Sequence, residues 1–462
     1  MPTTVLRSFV TVLAGAVFLA AGIIRAQQAQ IPLGEMIAQD ERLARFAALL
    51  DSVELLDMLN DAEAAFTVFA PVDEALDPLS ETVQRYLDDN PALLRRILMQ
   101  HLVAEPFQSD AVLEQPAIAS LEGGMLATDA ALRRINGATL IETDIPGTNG
   151  VLHVIDGLLM PEIVMPLPDP FINFESILTA GSSTVRPLTE RMGDEFLRAG
   201  FSGTITVEET GTNVGLERFC VNAESDIANA SRPIRESEIE ACRANGREPI
   251  EFFVAVDALA VVVSRENTFL EDLSIDHLGR IFSGEFTRWN QIDAAYPDAP
   301  IQAFSPGDDS GTFVYFVESV LMRGLGLEND TAEAAIMNAP TIRFSEDDNV
   351  LVTGVEASET AIGYFGFAYY LANQDRLRVV SIEGTAPNEA TAESGEYPLS
   401  RPLFIYSSPD VMQEKPQVAE FINYYINNVA QELGTDDDDI GYFPVNRDVL
   451  NLDRLEWLAA SR

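Results

Sequence analysis

The sequence predicts an α/β protein preceded by a smaller α+β unit, and three observations carry that expectation. From Phe171 onward, apolar strand-like runs alternate with segments of helical apolar spacing, the pattern of helices on largely parallel sheets. Before that point, residues 31–165 mix helical spacing with short β-like runs. Between the two, Met160–Pro170 carries Pro161, Pro166, Pro168 and Pro170, a density that neither a helix nor a central strand tolerates. A semi-rigid Pro-rich linker is expected at 161–170. At 462 residues the chain exceeds one ordinary domain, and 47% hydrophobic content is enough for real cores.

In chain order, Arg7 precedes the apolar run Phe9–Ile24, which is followed by Arg25-Ala-Gln27. Residues 1–26 therefore read as a secretory signal peptide, because the run falls short of the ~20 residues that a span needs. Export to the periplasm follows as an expectation. In 31–165, Leu43, Phe46, Ala47 and Leu50 keep helical spacing, as do Leu93, Leu94, Ile97 and Leu98. Phe66–Phe69, Ala138–Ile141 and Val151–Ile155 are strand-like. His101 and His153 sit in apolar surroundings and are expected to be hydrogen-bonded core histidines. Beyond the linker, strands are expected at Thr204–Val207, Phe252–Val256, Leu259–Val263, Leu377–Ile382 and Pro402–Tyr406.

Charge narrows the chemistry. The chain has 73 acidic against 29 basic residues, a formal net charge of −44 at pH 7. That balance excludes a nucleic-acid role driven by phosphate neutralisation. Yet three turns carry the small polar residues that favour anions. They are Thr179-Ala-Gly-Ser-Ser-Thr-Val-Arg-Pro-Leu188, Glu209-Thr-Gly-Thr-Asn-Val-Gly215 and Ser305-Pro-Gly-Asp-Asp-Ser-Gly-Thr312. Leu188, Met192 and Phe196 follow the first at helical spacing; Phe313, Phe316, Val317, Val320 and Leu321 follow the third. A small-residue turn opening a helix leaves backbone N–H groups unpaired at the positive end of its dipole. One such turn is ordinary capping. Three in one domain call for a different explanation.

Gly181-Ser-Ser-Thr-Val185, Asp226-Ile-Ala-Asn-Ala-Ser-Arg-Pro-Ile234, Asp257-Ala-Leu-Ala-Val-Val-Val263, Ser305–Phe313 and Ala361-Ile-Gly-Tyr-Phe-Gly-Phe-Ala-Tyr-Tyr370 occur in that order. Together they resemble the phosphate-binding protein of bacterial phosphate ABC transporters, the PstS type, over 171–462. Phe66-Thr-Val-Phe-Ala-Pro-Val-Asp-Glu-Ala75 and Asn149–Pro161 resemble the two signature blocks of a fasciclin domain, with Gln100 standing before His101 where that family carries Tyr. The first resemblance implies a two-lobed periplasmic-binding-protein fold of type II. It implies capture of inorganic phosphate and delivery to an inner-membrane ABC permease. The second implies contact with a protein or surface partner.

Residue by residue, the resemblance assigns Ser183, Thr184 and Val185 as donors from the first turn and Thr212 from the second. Ser310, Gly311 and Thr312 are assigned from the third. Ser231, which stands where some relatives carry Asp, is assigned to the phosphate-binding set with them, and Pro306 stands where some relatives carry Arg. Arg232 is therefore assigned the counter-charge, aimed by the extended backbone that Pro233 imposes on it. Asp257, with Asp308 behind it, is assigned as the acceptor for the proton that phosphate keeps and sulfate lacks.

Cys220 and Cys242 are the only cysteines, and an exported chain would pair them in a disulfide. No nucleophile–base pair or metal-ligand cluster emerges around the scattered His101, His153 and His277, so neither an enzyme nor a cofactor nor a metal site is expected. Thr435-Asp-Asp-Asp-Asp-Ile440 lacks the ligand spacing of a calcium loop and reads as a solvated acidic turn. Two other readings stay open: a binding protein for another tetrahedral oxyanion such as sulfate, and an adhesion or matrix protein with a phosphate-sensing domain.

Overall fold

The computed structural model describes residues 31–308, 310–345, 347–433 and 442–462. The expected signal peptide at 1–26 and the acidic turn Thr435–Ile440 lie outside the described residues. The chain divides into two compact units: one up to Met165 together with Asn446–Ala460, the other Pro166–Val445 with Ser461–Arg462. The first boundary falls inside the expected linker. The sequence reading, however, put all of 171–462 in the second unit. The helix Arg447–Ala460 instead buries Leu450, Leu455 and Trp457, and its Glu456 accepts from the Ser80 N–H and hydroxyl at 3.2 and 2.7 Å. Local spacing marks this helix as amphipathic but does not say which core receives it.

Among the described residues the first unit has seven strands. They are β1 (Phe66–Pro71), β2 (Leu102–Val103), β3 (Ala117–Ala119), β4 (Met125–Asp129), β5 (Arg134–Ile135), β6 (Ala138–Gly147) and β7 (Gly150–Ile155). Their order is β2-β1-β7-β6-β5-β4-β3. β1 is buried along its whole length and pairs in parallel with β7, Phe66 opposite Gly150 through Pro71 opposite Ile155. The two sequence blocks singled out above are thus neighbouring strands of one sheet. Both expected helices form, at Ala44–Ser52 and Pro91–Gln100.

His101 and His153 are core residues with both ring nitrogens engaged. His101 Nδ1 donates to the Ile97 carbonyl at 3.0 Å, while Nε2 accepts from the Leu159 N–H at 3.0 Å. His153 Nε2 donates to the Phe107 carbonyl at 3.0 Å, and Nδ1 accepts from the Asp144 N–H at 3.2 Å. Each ring needs one bare nitrogen, so each is held neutral.

The second unit carries β8 (Ile177–Gly181), β9 (Ile205–Glu209), β10 (Ile227–Ala230), β11 (Ile250–Ser264), β12 (Asp272–Leu273), β13 (Gln302–Ser305), β14 (Ile342–Phe344), β15 (Ala361–Gly366), β16 (Leu377–Val379), β17 (Ser381–Ile382) and β18 (Ser400–Ser407). The main sheet runs β14-β13-β15-β11-β18-β10-β8-β9, with β16 on β11. β8, β9 and β10 are mutually parallel, as are β13, β14 and β15. The expectation of largely parallel sheets needs one correction. β18 runs antiparallel to β10 and to β11, and β11 antiparallel to β15.

β11 also joins two runs that read as separate strands. Its first half, Ile250–Ala258, pairs with β18; its second, Leu259–Val263, pairs with β15. One strand therefore serves both lobes of this unit. Leu259, Val261 and Val263 belong to a core that includes Phe282, Trp289, Phe316 and Tyr364. The helix Arg186–Ala199 buries Leu188, Met192 and Phe196, as their spacing predicts. After the third turn, helix Gly311–Phe316 continues as a π turn through Val317–Met322. Among the described residues no helix is long and apolar enough to cross a membrane.

Burial pushes the His101 imidazole down to about 4. In the unfolded chain it takes up its proton near 6.5. The neutral ring therefore contributes stability above pH 6.5 that is lost as pH falls from 6.5 toward 4, about 3 kcal/mol in all. Urea unfolding of the first unit at pH 7 and pH 4 should show a loss about that much smaller in His101→Gln than in the wild type.

Candidate functional site

The C-terminal edges of the two parallel strand sets converge on the middle of β11. Ala230, ending β10, pairs with Phe404, which pairs in turn with Phe253. From the other side Gly366, ending β15, pairs with Leu259. Carboxyl ends of parallel strands, where loops leave on both sides of a crossing, are where open α/β sheets bind ligands. A cleft of about 490 Å3 lies there. Its lining includes Gly211, Thr212, Ser231, Arg232, Glu318 and Arg401.

The second turn supplies the near wall. Gly211 has φ +78°, a left-handed value that only glycine takes without strain, and its N–H donates to the Gly181 carbonyl at 2.9 Å. That turn starts helix Thr212–Cys220, so the free N–H groups of its first turn sit at the cleft. The helix can lie against β8 because Gly215 has no side chain: a Cβ there would meet the Gly181 Cα at 2.4 Å. Thr212 Oγ1 accepts from the Ser231 N–H at 3.2 Å, which ties the second turn to the loop after β10.

Three of the sequence-assigned residues are therefore brought together: Thr212, Ser231 and Arg232 line one cleft. Ser183, Thr184 and Val185 lie on the loop after β8, at the same sheet edge. There the Thr184 N–H donates to Ser182 Oγ at 3.2 Å, and the Thr184 carbonyl accepts from the Tyr442 hydroxyl at 2.7 Å. They are not among the cleft's lining residues, nor are Ser310, Gly311 and Thr312. Ser310 caps its helix, its Oγ accepting from the Thr312 N–H at 3.2 Å. The cleft is lined instead by Glu318, Met322 and Arg323, further along the segment that this cap starts. Asp257 is one step back: its Oδ2 accepts from Arg401 Nε at 3.0 Å, with both side chains 8% exposed. Burial pushes the Asp257 carboxyl above the usual carboxylate range, against the pull of Arg401.

Arg232 is heavily engaged. Nη1 and Nη2 donate to the two Glu238 carboxylate oxygens at 2.8 and 2.7 Å, and Nη2 also donates to Asn213 Oδ1 at 2.6 Å. Burial raises the Glu238 carboxyl, but hydrogen bonds from Arg232 and the Arg235 N–H outweigh it and hold the group below its ordinary value. Among the described residues Arg235, Arg323 and Arg401 line the cleft beside Arg232, so the positive charge is not Arg232's alone. The signal for Arg401 was in the sequence. Ser-Arg-Pro occurs at Ser231-Arg-Pro233 and again at Ser400-Arg-Pro402, and both arginines line the cleft.

Residues 172–429 match the model of a PBP superfamily domain, and residues 41–161 match a fasciclin domain. Protein SphX of Synechocystis sp. is 36% identical over 292 residues, covering 61% of this chain and 82% of that protein. The phosphate-binding protein PstS of Staphylococcus haemolyticus is 33% identical over 267 residues, 57% of this chain and 78% of that one. The chain belongs to the PstS family. A crystal structure described as a possible phosphate binding protein from Planctomyces limnophilus is 33% identical, with a TM-score of 0.54, and covers 63% of this chain and all of that one. The PstS-type fold thus spans the second unit, with a fasciclin domain ahead of it.

Cys220 and Cys242 form the expected disulfide, joining helix Thr212–Cys220 to helix Glu236–Ala244. It ties the helix that opens with Thr212 to the one that carries Glu238. Replacing both cysteines by serine is expected to lower unfolding free energy by about 3 kcal/mol, the chain-entropy value for a loop of this size. Chemical denaturation of the second unit measures it; an unchanged midpoint would leave the staple without a stabilising role.

Proposed function

We propose that this chain is an exported, non-enzymatic binding protein that encloses inorganic phosphate between the two lobes of its PstS-type unit and delivers it to an ABC permease. The observation that carries the reading is the cleft at the middle of β11, where Thr212, Ser231 and Arg232 meet from separate strand ends. Hydroxyls, helix-terminal N–H groups and guanidinium forks suit a compact oxyanion. Closing the lobes around it would remove water and strengthen each of those contacts. The names of the relatives, phosphate-binding proteins among them, support the choice of ligand.

The fasciclin domain supports a second, separable role in contact with a protein or surface partner. Its strands and buried histidines offer no catalytic arrangement, so contact rather than chemistry is the role we assign it.

Calorimetric titration of the full chain with inorganic phosphate, with sulfate as competitor, tests the main reading. Saturable phosphate binding that sulfate displaces only weakly is expected; tighter binding of sulfate would move the protein to another oxyanion class. Thr212→Val, which removes one hydroxyl from the cleft wall, should weaken phosphate binding about tenfold. Undiminished affinity in that variant would take Thr212 out of the contact set.

A further inference from the structure

We propose that Arg401, on β18, is the main charged donor to the bound anion; this rests on the phosphate reading above. Its guanidinium is held on three sides. Nε donates to Asp257, Nη1 faces Glu318 Oε2 at 3.6 Å, and the Tyr315 ring lies under the plane with its centroid 3.7 Å from Cζ. The remaining nitrogen, Nη2, is buried and has no hydrogen-bond partner among the described residues. A buried guanidinium N–H left unpaired is unfavourable, and on a residue that lines the cleft it suits an acceptor that reaches it when the lobes close. An oxyanion oxygen fits that acceptor.

Arg232 is differently placed. Its two terminal nitrogens already donate to Glu238, Asn213 and the Pro233 carbonyl, and to hold an anion through both it would have to leave Glu238. Arg232 therefore shapes the wall and adds field, while Arg401 makes the direct contact. The position suits capture as well as charge. Arg401 pairs in register with Asp257 on the strand common to both lobes, and Tyr315 and Glu318 reach it from the segment after the third turn. An anion on Nη2 sits where the strand ends of both lobes converge.

Calorimetry on the full chain with inorganic phosphate tests this through two variants, because removing Arg401 alone strands a buried carboxylate. The double variant Arg401→Gln with Asp257→Asn removes both charges. Arg401→Lys keeps a cation against Asp257 but has no guanidinium fork. Both should melt as cooperative proteins and bind phosphate on the order of 10- to 100-fold more weakly, with a correspondingly smaller phosphate-induced rise in melting temperature. Arg232→Ala should lose less than either. Wild-type affinity in either Arg401 variant, or a larger loss in Arg232→Ala, would overturn the assignment while leaving the phosphate reading in place. No binding by the wild-type chain would overturn both.

Discussion

The buried ion pair between Asp257 and Arg401 is the constraint around which the second unit is arranged. It lies where β11 passes from β18 to β15, at a crossing between the two lobes. A carboxylate in mid-strand, between the buried runs Val254–Val256 and Ala258–Val263, is expensive to desolvate alone. Paired with a guanidinium across the ladder it becomes tolerable, although such pairs add little net stability over a well-packed apolar alternative. Their worth is positional. The pair fixes a guanidinium at the crossing and lets two apolar runs be one strand.

That position answers the problem posed by net charge. A molecule at −44 repels small anions at long range. Salt screens exposed charges beyond roughly 8–10 Å, so the far surface matters less than the few groups at the cleft. There Arg232, Arg235, Arg323 and Arg401 stand with the N–H groups at the start of helix Thr212–Cys220. Lys415 is the single lysine in the sequence, and the cleft is built from guanidinium forks throughout. A fork keeps its geometry while sharing donors between a structural carboxylate and a ligand, which a compact ammonium does less well.

The sequence showed several of the helices and strands and which cysteines pair, because each of those leaves a local signature, while the expected strand Leu377–Ile382 is split between β16 and β17. Leu188, Met192 and Phe196 repeat at helical spacing and are all buried on one helix face. What it hid depends on partners distant in the chain. Asp257 looked like a break between two strands because its partner is 144 residues away. The helix Arg447–Ala460 has a clear apolar face but joins the first unit, a choice made by Ser80 and Ile163 rather than by its neighbours in sequence. Thr212, Ser231 and Arg232, which line the cleft, were legible because motifs mark turns. That Arg401 lines the same cleft was not legible because it lies in a strand, although its Ser-Arg-Pro context repeats that of Arg232.

The acidic excess also has a local use that composition conceals. Asp257 holds Arg401 by Nε and Glu238 holds Arg232 by both terminal nitrogens, so two of the cleft's arginines are oriented by carboxylates. Without such partners a long cationic side chain samples many rotamers, and fixing it on ligand binding costs entropy. Glu238 is itself steadied by the Arg235 N–H and by the disulfide at the far end of its helix. Acidic residues that would weaken an anion's approach at a distance thus preorganise two guanidinium groups of the cleft, where order acts at short range.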